Sequence, residues 1–200
     1  MFGPLSNTIQ GVVNFTWPMI IISTIIIVST RLAYLLKNHQ KIVLYKELLM
    51  LSFIIYILCL FQVVTYQDDV SWATNNFVPF KEIFRYDIGS RLFFKNVLGN
   101  MVMFLPFGFF ISYYLDSDNI KIPLFLTVIA SISVEVVQML IGRVFDVDDI
   151  LLNILGGVLG YFLYHILSVI GNKLPKIFRS DIFLNIVSIL ILIGLFMLIL

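Results

Sequence analysis

Apolar residues in this chain come in long unbroken runs separated by short polar breaks. A membrane-spanning helix needs about 20 mostly apolar residues, and six runs qualify: Trp17 to Leu36, Leu48 to Tyr66, Val97 to Leu115, Ile122 to Ile141, Ile150 to Ile170 and Ile182 to Leu200. None alternates with the period of two that marks a half-buried strand. The pattern predicts an all-α, polytopic transmembrane helical bundle of about six helices, with five possible. Pro106 should kink the third helix, because proline removes one backbone donor and crowds the preceding turn. Pro123 falls at a helix start, where proline is tolerated, and Pro175 separates the last two runs.

The breaks are short except for Gln67 to Asn96. That connection holds Trp72, Asn76, Pro79, Phe80, Arg85 and Arg91, and its charges balance. The stretch Asn76-Phe77-Val78-Pro79-Phe80 is too apolar for a plain solvated loop. It is expected either to dip back into the membrane or to pack on the bundle, since irregular backbone at membrane depth survives only against protein or a wet cavity.

Composition agrees with a membrane protein. The 200 residues are 60% hydrophobic and 12% charged, about half the charge of a soluble domain, and the mean hydropathy is +1.01. A net charge of +1 without a basic, aromatic-laced patch argues against nucleic acid as a partner. The single cysteine, Cys59, lies in an apolar run, and no Cys/His metal spacing occurs. No Lys or Arg precedes the first run, so a cleavable signal is not expected and the first helix should be retained. There is no internal repeat. If the N-terminus is outside, the inner loops hold Lys37, Lys41, Lys46, Lys121, Lys173, Lys176 and Arg179, with Arg31 nearby; the outer ones hold Lys81, Arg85, Arg91, Lys95 and Arg143. The positive-inside rule then favours both termini outside.

Two spanning helices separate the Gln67–Asn96 connection from the loop at Gly142–Asp149, so both should lie on one face of the membrane. Asn96 and Asn100 at the start of the third helix, Glu135 and Gln138 near the end of the fourth, and Asn153 at the start of the fifth all lie near that face. Ser131, Glu135, Gln138 and Gly142 share one helical stripe, as do Asp149, Asn153, Gly157 and Gly160. Gly156-x-x-x-Gly160 fits the small-xxx-small pattern of close helix packing and should bring Asn153 against the Glu135–Gln138 face. One reading is a polar pocket lined by Glu135, Gln138, Asn153 and Arg143. Another is interhelical glue, worth about 0.6–2 kcal/mol per bond. A carboxylate at Glu135 needs a partner or a proton at that depth.

Arg143 can fork onto Glu135, Asp146, Asp149 or a lipid phosphate, or snorkel to headgroups. Asp149 is a candidate N-cap of the fifth helix. Asp146-x-Asp148-Asp149 lacks the glycine and the terminal glutamate of an EF-hand loop, so no metal and no cofactor are expected. His39, His165 and Cys59 read as interfacial or packed residues.

The ordered set Asn96-x-x-x-Asn100-x-x-x-Phe104-x-Pro106-x-Gly108, Glu135-x-x-Gln138 and Arg143-x-x-Asp146-x-x-Asp149-x-x-x-Asn153-x-x-Gly156-x-x-x-Gly160 resembles the VanZ-like family of bacterial membrane proteins, and so does Asn76-Phe77-Val78-Pro79-Phe80 upstream. The resemblance covers Gln67 to Tyr164. It divides the chain into two N-terminal helices (1–66), a core (67–164) and a C-terminal linker and helix (165–200), with the first and last helices outside the resembling block. It implies a multi-pass protein of the bacterial cell membrane and a link to glycopeptide (teicoplanin) susceptibility. It carries Glu135, Gln138, Arg143, Asp146, Asp149 and Asn153 over as matching positions without catalytic roles. The leading expectation is a protein that binds an anionic membrane lipid or a lipid-linked envelope precursor, with Arg143 at the phosphate. The alternatives are an intramembrane enzyme using Glu135 or Asp149 as general base, for which no nucleophile pair is present, and a membrane scaffold.

Overall fold

The computed structural model describes the backbone of residues 3–65 and 75–199 and the side chains of residues 17–65 and 75–197. Trp72, with Gln67 to Thr74 around it, lies outside the described residues. Six α-helices account for the architecture: α1 Gly3–Lys37, α2 Leu44–Thr65, α3 Gly99–Leu115, α4 Lys121–Leu140, α5 Val147–Lys173 and α6 Asp181–Ile199. Five are long and apolar enough to cross a membrane, and the described part of α6, Asp181–Met197, is a shorter apolar helix. The chain forms two compact units, one of Met1–Tyr66 with Lys173–Leu200 and one of Gln67–Asn172.

In the first unit α2 packs against α1 and α6. Ile20 and Ile55 form its core, with Leu51, Leu58, Cys59, Leu192 and Phe196 around them. Buried Ser52 and Ser188 return their hydroxyls to the carbonyls of Leu48 and Leu184, which satisfies them inside their own helices. Arg31 grips Glu47 with two bonds of 2.8 and 3.0 Å. Apolar-run counting starts α1 at Trp17, but the helix reaches back to Gly3 and passes through Pro18. Hydropathy registers only the apolar stretch of a helix, so a polar extension such as Gly3–Thr16 escapes it.

The second unit holds α3, α4 and α5. A π-helical turn, Phe93–Leu98, leads into α3, and the two form one apolar span. α3 continues through Pro106. Packing here is backbone against backbone. A Cβ on Gly156 would overlap the Met101 carbonyl, one on Gly160 the Leu105 carbonyl, and one on Gly108 the Gly157 backbone. A Cβ on Gly157 would also strike the Thr127 side chain of α4. The Gly156-x-x-x-Gly160 face thus seats α5 on α3, and Asn153 reaches α4 one turn earlier. At the far end of α5, Tyr161 donates to the Asp118 carbonyl and Tyr164 to Asp116 Oδ1, each at 2.8 Å.

A candidate polar site at the start of α5

The site begins with the way α4 ends. Gly142 takes φ +84°, a left-handed conformation that glycine adopts without penalty. Its N–H donates to the Met139 carbonyl (3.1 Å), and the Arg143 N–H donates to the Gln138 carbonyl (2.9 Å). These two bonds form a Schellman cap. The cap turns the chain back over the last turn of α4 and sets Arg143 beside Gln138.

Glu135 is 1% exposed, yet its carboxylate is bonded on both oxygens. Oε2 accepts the Asp146 N–H at 2.9 Å. With the Gln138 amide oriented so that both ends are satisfied, its nitrogen donates to Glu135 Oε1 at 2.8 Å. The amide oxygen then accepts from the Arg143 guanidinium at 3.2 Å. Glu135 and Arg143 are therefore joined through Gln138.

Asn76 ties the long connection to this loop. Its N–H donates to the Phe145 carbonyl (2.8 Å) and its carbonyl accepts from Val147 N–H (3.1 Å), which makes a single parallel bridge. Its side-chain amide donates to Asp146 Oδ1 at 2.8 Å. That same oxygen accepts the Asp148 N–H at 2.8 Å, two residues on, as an N-cap side chain does. Asp146, and not Asp149, caps α5, because the helix begins at Val147 and puts Asp149 inside the first turn. Burial holds the Asp146 carboxyl above its ordinary pKa, against the opposing bonds from Asn76 and the Asp148 N–H.

Asp148 is 1% exposed and collects three backbone donors of the long connection. Oδ1 accepts from Phe80, and Oδ2 from Glu82 at 2.7 Å and Ile83 at 3.1 Å. The segment at Asn76–Phe80 is thus tethered by its backbone to the first turn of α5, with the side chains of residues 77–80 turned outward. Asp149 instead accepts from the Asn100 amide of α3 and lies in electrostatic reach of Glu135, Asp146 and Arg143. One turn deeper, Asn153 donates to Ser131 Oγ at 3.2 Å. Its side-chain oxygen is buried and has no hydrogen-bond donor among the described residues.

Asn76, Asn100, Glu135, Gln138, Arg143, Asp146, Asp149 and Asn153 therefore gather at one end of the three helices. Pro79 is exposed, and Phe80 enters only through its N–H, since the residue is 53% exposed. Asp148 is the residue whose part the sequence did not signal: it looks like its acidic neighbours, and its partners are main-chain groups without a residue signature. The three aspartates point to three different partners, and no group of three or more His, Cys, Asp or Glu poised for a metal ion occurs among the described residues. Chemically the cluster offers buried carboxylates, amides and one guanidinium, all held by the chain itself.

No curated protein and no solved structure matches this chain. A family model described as VanZ/LLP1 matches residues 53–168. That span begins inside α2, so it takes in more than the block whose motifs resemble the family. It ends in α5 and contains every residue of the polar cluster. Spanning helices, the ordered motifs and a match over more than half of the 200 residues lead to one assignment: this multi-pass membrane protein belongs to the VanZ/LLP1 family.

Proposed function

We propose that this protein binds the head of an anionic lipid or lipid-linked envelope precursor at the polar cluster, in a bacterial cell membrane, and thereby alters susceptibility to glycopeptides such as teicoplanin. The observation that carries the reading is the Asn153 side-chain oxygen. It is buried without a donor among the described residues, and an unmet buried acceptor costs about 1–3 kcal/mol. A ligand N–H or O–H would satisfy it. Arg143, half-buried at the edge of the same cluster, supplies the planar fork that suits a phosphate.

Native mass spectrometry of the purified protein tests this. The wild-type protein should carry a phosphate-headed lipid, and Arg143→Ala and Asn153→Ala should lose it while remaining folded and inserted. Identical lipid profiles in all three would remove the binding reading. Loss of expression in both variants would favour a purely structural cluster. The enzymatic alternative rests on Glu135 and Asp149 lying close enough to interact. Glu135→Gln keeps the acceptor for the Asp146 N–H but removes the charge, so an unchanged susceptibility phenotype would exclude Glu135 as a base.

A further inference from the structure

The connection between Asn76 and α3 turns a large apolar surface outward. Phe84 is 82% and Ile88 91% exposed, with Phe77, Val78, Phe80, Leu92 and Phe94 all more than half exposed. Such a patch on a soluble surface would mark an interaction site. Here the segment is tied at both ends to helices long and apolar enough to span a membrane. Asp148, in the first turn of the α5 span, holds the backbone of Phe80, Glu82 and Ile83. At the other end the chain runs directly into the α3 span, which starts at Phe93. Phe84 and Ile88 lie between these two anchors in the chain, within a few residues of each.

The charges around the patch point the same way. Within residues 77–94, Lys81, Arg85 and Arg91 are exposed against Glu82 and Asp87. Arg85 is paired with Glu82 at 3.0 Å, which leaves Lys81 and Arg91 against Asp87, with Lys95 exposed just beyond. Aromatic rings with flanking basic residues are what a segment lying in a headgroup layer carries, and a basic excess favours anionic lipids. We infer that residues 77–94 form an interfacial element whose Phe84 and Ile88 side chains insert into the adjacent lipid leaflet, with Lys81 and Arg91 on anionic headgroups. The polar cluster then borders lipid, and a lipid ligand has a lateral route to it. The inference stands whether or not the cluster binds a ligand.

The test uses the full chain in vesicles of phosphatidylcholine and phosphatidylglycerol. Phe84→Cys and Ile88→Cys, each in a Cys59→Ala background, carry an NBD label. Lys41→Cys, exposed on the α1–α2 connection, serves as the aqueous reference. Labels at positions 84 and 88 should emit to the blue of the reference. Nitroxide-bearing lipids should quench them several-fold more than they quench the reference, and aqueous iodide should quench them several-fold less. Iodide quenching equal to that of the reference would overturn the inference. Protection from both quenchers would overturn it too, because protein would then cover the patch. Omitting phosphatidylglycerol should weaken quenching by the nitroxide lipids, and no change would overturn the role given to the basic residues.

Discussion

Removing the Asp148 carboxylate should release the long connection without unfolding the helices. The side chain is 1% exposed and accepts the N–H groups of Phe80, Glu82 and Ile83. A hydrogen bond to a charged group contributes about 1.5–3 kcal/mol, so Asp148→Ala would leave three donors short by about 5–9 kcal/mol in total if the segment stayed in place. Peeling the segment away and hydrating those donors costs less, so the observed loss is set by local opening. Even one such bond is worth roughly a tenfold change in an opening equilibrium. Hydrogen exchange over residues 75–88 should therefore accelerate at least about tenfold in Asp148→Ala, with α3–α5 protection retained. Asp148→Asn is the finer probe. Its single oxygen can serve Glu82 and Ile83 together, which sets the new NH2 against the Phe80 N–H. Phe80 should then exchange faster while Glu82 and Ile83 stay protected. Unchanged protection in Asp148→Ala would refute the reasoning.

Gly160→Ala, whose new methyl would meet the α3 backbone, should lower stability by about 1–3 kcal/mol; Gly171→Ala, with nothing near, should not, and thermal unfolding in detergent compares the two. Asp146 titrates above its unfolded value because of burial, so its stabilising contribution is complete below the unfolded pKa and lost as pH rises through the folded one. Asp146→Asn, which keeps an acceptor for Asn76 and the Asp148 N–H, should match or exceed the parent at neutral pH and lose any advantage below about pH 4; a variant that is weaker only at neutral pH would contradict this. Cysteines at Asp87 and Val144, in a Cys59→Ala background, should be labelled from one side of the membrane and a cysteine at Asn119 from the other. Labelling of the first two from opposite sides would undo the shared face.

The helices were legible because apolar run length reports directly on span length, and the Ser131–Glu135–Gln138 stripe because helical phase is simple arithmetic. Other parts of the site have no such signal. Asp148 differs in role from Asp146 and Asp149 only through donors that belong to the main chain. The Schellman cap at Gly142 depends on a backbone conformation, although a glycine just past an apolar run was a cue for it. The glycine face was expected to bring Asn153 against the Glu135–Gln138 face of α4. Instead Gly156 and Gly160 meet α3, Gly157 meets Thr127 of α4 and Asn153 reaches Ser131, because small residues announce close approach but not which helix approaches. On the α3 side, Gly108 provides a matching hollow opposite Gly157.

Because α5 supplies partners for polar groups on both helices made before it, order of synthesis matters. Asn100 meets Asp149, Glu135 meets the Asp146 backbone, and Ser131 receives Asn153. A ribosome that has delivered α3 and α4 has placed an amide and a carboxylate at the membrane with these partners still unmade. A carboxylate so placed is expensive in hydrocarbon, so the helix pair has reason to linger beside the insertion machinery until α5 follows. The contacts of α5 with α3 and α4 then satisfy the groups that the first two helices carry.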